Sequence, residues 1–159
     1  MLFGNIELLN EKSFSVVGTR KITEYGKKYC KKICKEIVLR DIPIVSGMAI
    51  GTDTIAHETA LKYGGKTIAV LPCGFNNIFP KQNLQLFKQI IENNGLVITE
   101  YENNIRANSK NFLERNRIVV ALGEGLFVVE ALFRSGTSVT ARIATETGKH
   151  VFALPRKFG

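Results

Sequence analysis

The sequence has no run of about 18 apolar residues, the length a helix needs to span a bilayer, so no membrane insertion is expected. It has only three cysteines, which cannot all pair. Met1 to Asn10 show no basic segment leading into an apolar core. Neither a disulfide framework nor a secretory leader is indicated, and the expected compartment is the cytoplasm. Cys30 and Cys34 stand four apart on a predicted helix with no second Cys/His pair nearby to complete four ligands. They read as reduced thiols, Cys73 reads as a small core residue, and no metal site is expected. Acidic residues are scarce as well: 14 Asp plus Glu against 22 Lys plus Arg leave a net charge of +8, which favours an anionic partner.

The familiar catalytic and cofactor motifs are also missing. No G-x-G-x-x-G follows the first predicted strand, and the second ends at Ser46 instead of an acid that would hold a ribose hydroxyl, so no dinucleotide cofactor is expected. P-loop, G-x-S-x-G and H-E-x-x-H patterns do not occur. Only His57 and His150 are available for acid–base work. Asp53 and His57, four apart on one predicted helix, read as a helix-capping acid and a packed imidazole. Glu130, a lone acid after the fifth predicted strand, is the best single argument for an enzyme.

The remainder has the pattern of one α/β domain over residues 1–159. Short, nearly continuous apolar runs at Ser15 to Val17, Ile42 to Val45, Thr67 to Leu71, Leu96 to Thr99, Leu126 to Val129 and His150 to Ala153 predict six strands covered on both faces. Helix-like stretches lie between them, at about Thr23 to Arg40, Asp53 to Tyr63, Lys81 to Asn93, Phe112 to Leu122 and Thr137 to Thr147. Alternating strand and helix predicts a doubly wound, mostly parallel sheet flanked by helices. On the first helix, Ile22, Tyr29, Ile33 and Ile37 are expected to face inward, opposite Lys27, Lys28, Lys31, Lys32 and Lys35. That lysine face is either a solvated surface or a phosphate-binding one.

In an open parallel sheet the ligand crevice lies beyond the carboxyl ends of the strands. Three turns there have anion-binding chemistry. Gly18-Thr19-Arg20 combines close backbone approach, a hydroxyl and a planar guanidinium fork. Ser46 and Gly47 open a glycine-spaced loop that enters the second helix at Asp53, whose first amides are expected to receive an anion. Arg134 precedes Ser135-Gly136-Thr137-Ser138, which opens the last helix. Each turn also reads as ordinary capping; their alignment along a rim roughly 25 Å wide suits several successive phosphates better than one nucleotide. Between the fourth and fifth strands, Lys110, Arg115 and Arg117 surround Phe112. The ring could stack on an unpaired base while the cations meet the backbone, or it could be a core residue at a helix start with the arginines salt-bridged.

The chain resembles the DNA-processing protein A (DprA/Smf) family. The likeness is carried collinearly by Val16-Val17-Gly18-Thr19-Arg20, Val45 to Asp53 with Ala56-His57, Thr67 to Pro80, Asn94 to Tyr101, Asn111-Phe112 with Arg115-Asn116-Arg117, Val129-Glu130-Ala131 and Ser135 to Ser138 with Thr140-Ala141. This resemblance implies an extended Rossmann-like domain that binds single-stranded DNA without catalysis, forms a homodimer and helps load a RecA-type recombinase in natural transformation. It implies a DNA pocket of Gly18, Thr19, Arg20, Ser46, Gly47, Phe112, Arg115 and Ser135 to Ser138, with Lys110 as the basic residue near the phenylalanine. The chain departs from the family pattern at Arg156-Lys157-Phe158-Gly159, where members continue further, and it starts without their N-terminal helical domain. A fragment is therefore expected. The competing readings are a nucleotide-processing Rossmann enzyme of the lysine-decarboxylase-like phosphoribohydrolase type, whose P-G-G-x-G-T-x-x-E loop does not occur here, and an adaptor that binds only protein.

Overall fold

The computed structural model describes residues 1–156. The departure from the family pattern at Lys157, Phe158 and Gly159 lies outside the described residues. In chain order the elements are β1 (Leu2–Gly4), β2 (Ser13–Val17), α1 (Glu24–Val38), β3 (Ile44–Ser46), α2 (Thr52–Lys62), β4 (Thr67–Val70), α3 (Leu84–Glu92), β5 (Leu96–Ile98), α4 (Ser109–Leu122), β6 (Gly123–Val128), α5 (Gly136–Glu146) and β7 (His150–Ala153). Short 3₁₀ turns occupy Ile6–Asn10, Phe75–Asn77 and Lys81–Asn83. No helix among the described residues is long and apolar enough to cross a membrane.

The strands form one sheet in the order β1-β5-β4-β3-β2-β6-β7. Every pairing is parallel except that of β1 with β5. This is the expected Rossmann-like, mostly parallel architecture, with seven strands where the apolar runs predicted six. The additional strand, β1, is three residues long, with Leu2 opposite Ile98 and Phe3 opposite Val97. A run that short has no period to read.

Successive side chains of a strand point to opposite faces, and here both faces are apolar. Val16, Ile44, Phe127 and Val129 pack under α1 and α2 with Cys30, Cys34, Ala56 and Ala60. Their neighbours Val17, Val45, Leu126 and Val128 pack on the other side with Val119 and Val120 of α4 and Ala144 of α5. The α3 residues Leu86 and Ile90 cover Ala69 and Val97 on the α2 side of the sheet. Two helical layers therefore sandwich the sheet, α1 to α3 on one face and α4 with α5 on the other.

The buried stripe of α1 is Gly26, Cys30, Cys34 and Val38, at intervals of four, with Ile33 and Ile37 half-buried beside it. Of the expected inward face, Ile22, Ile33 and Ile37 do pack, half-buried, against this core, and Tyr29 packs against Tyr25, while the fully buried line along the helix is made of smaller residues. The two sulfurs are 4.0 Å apart, and their mutual hydrogen bond together with burial pushes the Cys34 thiol up. Cys30, Cys34 and Cys73 are all free and buried.

From β2 the chain steps one way to β3, β4 and β5, then crosses back over the sheet through α4 to β6 on the other side of β2. The carboxyl ends of β2 and β6 therefore flank the topological switch point, where successive loops turn in opposite directions and leave a crevice.

Candidate nucleic-acid interface

A cavity of about 630 Å³ lies at this switch point. Its lining comes from the loop after β2 (Gly18, Thr19, Arg20, Lys21), the start of α2 (Ala49, Asp53), the first turns of α4 (Asn108, Ser109, Phe112, Leu113, Arg115, Asn116) and the loop entering α5 (Leu132, Ser135, Gly136, Thr137). Four distant segments predicted to carry binding chemistry thus meet around one space.

Arg20 is exposed, and its guanidinium carbon is 4.6 Å from the centroid of the Phe112 ring. Phe112 is half-buried, with Phe79 edge-on to it at 5.8 Å and the Arg115 guanidinium 5.5 Å from its centroid. Asn108 sets the ring's position by capping α4, its side-chain oxygen accepting from the Asn111 amide at 2.9 Å. Arg20 carries no ion pair among the described residues, so its fork is available to an anion at the cavity mouth.

Across the cavity, Ser135 caps α5: its hydroxyl oxygen accepts from the Ser138 amide at 3.2 Å, and the Ser138 hydroxyl donates back to the Ser135 carbonyl at 2.7 Å. The Gly136 and Thr137 amides have no acceptor among the described residues. Both residues line the cavity, and their amides lie at the positive end of the helix dipole.

The second turn behaves differently from the expectation. The Thr52 amide and hydroxyl both donate to the Thr19 carbonyl, at 3.2 and 2.9 Å. The Thr54 amide donates to the Ala49 carbonyl, and Gly51 has a positive φ of 82°, a conformation that suits glycine. Of the amides expected to receive an anion, that of Thr52 is thus spent tying the α2 loop to the β2 loop, and that of Thr54 closes the α2 loop on itself. Ser46 is fully buried and donates to the Val16 carbonyl at 2.7 Å, so it stands behind the cavity wall.

Arg115 is 4% exposed. Its Nη1 donates to the Gly47 carbonyl, and to the Val70 carbonyl at 2.8 Å. Its Nε donates to Asn116 Oδ1 at 3.0 Å. A β-carbon at Gly47 would lie 2.7 Å from the Arg115 guanidinium carbon, which is why that position has no side chain. Asp53, also buried, accepts from the Ala49 amide at 3.2 Å. Burial pushes the Asp53 carboxyl up while the Arg115 charge opposes that shift; burial likewise pulls Arg115 down while Asp53 opposes it. The pair locks the β3–α2 loop against β4 from inside.

Lys110 and Arg117 point outward on α4. Lys110 lies 3.6 Å from Glu114, and Arg117 pairs with Glu100. Both ion pairs are at the surface, worth little individually and open to exchange with another anion. Glu130, the one acid that suggested an enzyme, accepts from the Thr23 amide at 3.0 Å and from the Thr23 hydroxyl, and its carbonyl accepts from the Thr19 amide at 2.8 Å. It is a cap for α1 and a tie for the β2 loop. His57 is fully buried, bonded to Thr67 at 2.6 Å, and burial lowers its pKa to about 3. Among the described residues no three His, Cys, Asp or Glu side chains come together as metal ligands. Sequence reasoning missed Asn108 and Leu132 in the cavity wall and the supporting ring of Phe79. The Asn108-to-Asn111 spacing carried a capping signal, whereas Phe79 was marked only by its place at the end of the Thr67 to Pro80 family motif, with no role attached.

The sequence matches the family described as DNA recombination-mediator protein A over residues 1–159. It is 39% identical to the protein Smf of Escherichia coli over 156 residues, covering 98% of this chain and 42% of that protein. The structure superposes on DNA processing protein A of Helicobacter pylori with a TM-score of 0.92 at 34% identity, over 99% of this chain and 72% of that one. It superposes on DprA of Streptococcus pneumoniae with a TM-score of 0.91 at 39% identity, over 99% and 55%. The chain spans about half the length of the curated relatives it matches. Similarity along the whole chain, joined to the same fold, leads to one conclusion: this chain belongs to the DNA recombination-mediator protein A (DprA/Smf) family.

Proposed function

We propose that this chain is a single-stranded DNA-binding module that acts without catalysis and grips the strand in the switch-point cavity. One observation carries the reading. Arg20, without an ion pair among the described residues, stands over the Phe112 ring at a cavity also lined by two helix amides that have no acceptor among those residues. Phosphates meet Arg20, the Thr19 hydroxyl and the amides of Gly136 and Thr137 within the Ser135 to Ser138 turn. A base takes the face of Phe112 that Arg20 covers in the free protein, while the guanidinium moves to the adjoining phosphate. Lys110 and Arg117 exchange their surface carboxylates for outer phosphates. Gly18, Ser46, Gly47 and Arg115 hold the contact residues in place from behind. The reading agrees with the Helicobacter pylori relative, a DNA processing protein A with a single-stranded DNA binding mode.

By the same family relation, the chain works in the cytoplasm as part of a homodimer that helps load a RecA-type recombinase during natural transformation. Co-precipitation of purified recombinase with the DNA-bound protein tests that partner, and sedimentation tests the dimer.

Anisotropy titration of a labelled oligothymidylate at several salt concentrations tests the cavity reading. With four to six phosphate contacts, log affinity against log salt falls with a slope of roughly −3 to −4. A salt-independent affinity refutes it. The enzyme reading lacks its acid, because Glu130 is committed to α1. Incubation with AMP is expected to release no free base.

A further inference from the structure

Away from the cavity, the outer side of α1 carries Lys27, Lys28, Lys31, Lys32 and Lys35. Two acids share the helix, and both are occupied: Glu24 by Lys27 at 2.8 Å and Glu36 by Arg40 at 3.0 Å. Among the described residues Lys28, Lys31, Lys32 and Lys35 form no ion pair. The arrangement costs the helix stability. Lys27 with Lys31, Lys28 with Lys32, and Lys31 with Lys35 are like charges four residues apart, and each such pair destabilises the helix. A surface meant only for solubility is better served by interspersed signs. Next to the stripe, at the end of α2, the ammonium groups of Lys35 and Lys62 lie 4.9 and 5.6 Å from the centroid of the same ring, Tyr63. Two cations drawn to one ring repel each other, and an anion between them relieves that repulsion.

The stripe also begins at the right place. Lys21 lines the cavity, and Thr23, two residues on, starts α1 while bonded to Glu130 at the end of β6. From that rim the helix runs 15 residues, about 22 Å.

We propose that this face is a second track for the same polyanion: the single strand leaving the cavity past Arg20 and Lys21 continues along α1, with phosphates on Lys28, Lys31, Lys32 and Lys35. The inference rests on the cavity reading for the strand's starting point. A strand stacked at about 3.4 Å per phosphate, the spacing within a duplex, would pass roughly six further nucleotides along the helix, and a more extended strand fewer.

The test compares labelled oligothymidylates of about 6 and about 18 nucleotides. They are titrated against the parent chain, against a quadruple variant (K28Q, K31Q, K32Q, K35Q) and against the matching Lys→Arg variant. Lys28, Lys31 and Lys32 are exposed, Lys35 is half-buried against Tyr63, and none belongs to the buried stripe of α1, so circular dichroism is expected to match the parent. The Gln variant is expected to bind the short strand like the parent and the long strand at least about tenfold more weakly. Its salt slope on the long strand should be shallower by about 3, four contacts at about 0.7 each. The Arg variant should keep parental binding to both. Parental affinity and slope of the Gln variant on the long strand overturn the proposal, and so does an equal loss on both lengths. If the parent fails to hold the short strand yet binds the long one through these lysines, the cavity reading fails and the α1 face stands alone as the polyanion site.

Discussion

Replacing Arg20 by Ala separates binding from folding more cleanly than any other change in this chain. Its side chain is exposed and makes no ion pair among the described residues; its recorded partner is the Phe112 ring at 4.6 Å. A cation–π contact at such a site contributes about 0.5–1 kcal/mol, so the melting temperature is expected to fall by no more than about 4 °C. The loss in binding is larger. A charge-assisted hydrogen bond to phosphate is worth about 1.5–3 kcal/mol, which weakens single-strand binding by roughly 10- to 150-fold. One fewer phosphate contact also makes the salt slope shallower by about 0.7. Anisotropy titrations at several salt concentrations, paired with thermal melts, read both effects. Arg20→Lys should fall between parent and Ala, because the ammonium keeps the charge and loses the planar fork. If Arg20→Ala binds with the parent's affinity and slope, the guanidinium does not meet phosphate and the reasoning fails.

Three further outcomes are expected. Phe112→Ala should weaken binding by about 1–3 kcal/mol while leaving the salt slope in place, because a stacking surface and not a charge is removed; a loss of slope in the same titration would count against stacking. Arg115→Met should lower stability by about 2–6 kcal/mol in a denaturant melt, since it leaves the buried Gly47 and Val70 carbonyls without their donor, at about 1–3 kcal/mol each; a parental midpoint would show that the loop needs no internal tie. Acid should destabilise the fold through His57, which in the unfolded chain takes up a proton below about 6.5 but in the folded chain stays neutral down to about 3. Its contribution is therefore complete above pH 6.5 and lost at about 1.4 kcal/mol per pH unit beneath it, about 5 kcal/mol in all. The difference between the parent and His57→Gln isolates this effect from Asp53, whose raised pKa acts in the opposite direction; identical acid limbs would refute it.

Much of the frame was legible because a parallel sheet covered on both sides leaves apolar runs in the sequence, and Val16-Val17 or Ile44-Val45 can be read as strand without knowing which layer each residue faces. The cavity's location was legible for a related reason: the turns after β2 and β6 are small, polar and cationic, and the strand order brings them together. What was not legible depends on partners distant in sequence. Arg115 and Arg117 look alike in the sequence. One is buried because Gly47 lacks a β-carbon and Val70 presents a carbonyl, the other is outside because Glu100 meets it at the surface. Glu130 looked catalytic because its nearest bond, to Thr23, crosses from one strand end to a helix start more than 100 positions earlier. The α2 amides looked open because nothing local announces that the Thr19 carbonyl will take the Thr52 donor. On α1 the hydrophobic period found the isoleucines that pack on the core, but not that the most buried line would run through the smaller Gly26, Cys30 and Cys34 beside them.

The most direct measurement is a crystal structure of the chain with a bound oligothymidylate. It should show a phosphate on the Gly136 and Thr137 amides with the Arg20 fork beside it, and a thymine stacked on Phe112. A strand bound elsewhere on the surface, with the switch-point cavity empty and Arg20 still over the ring, would contradict the account.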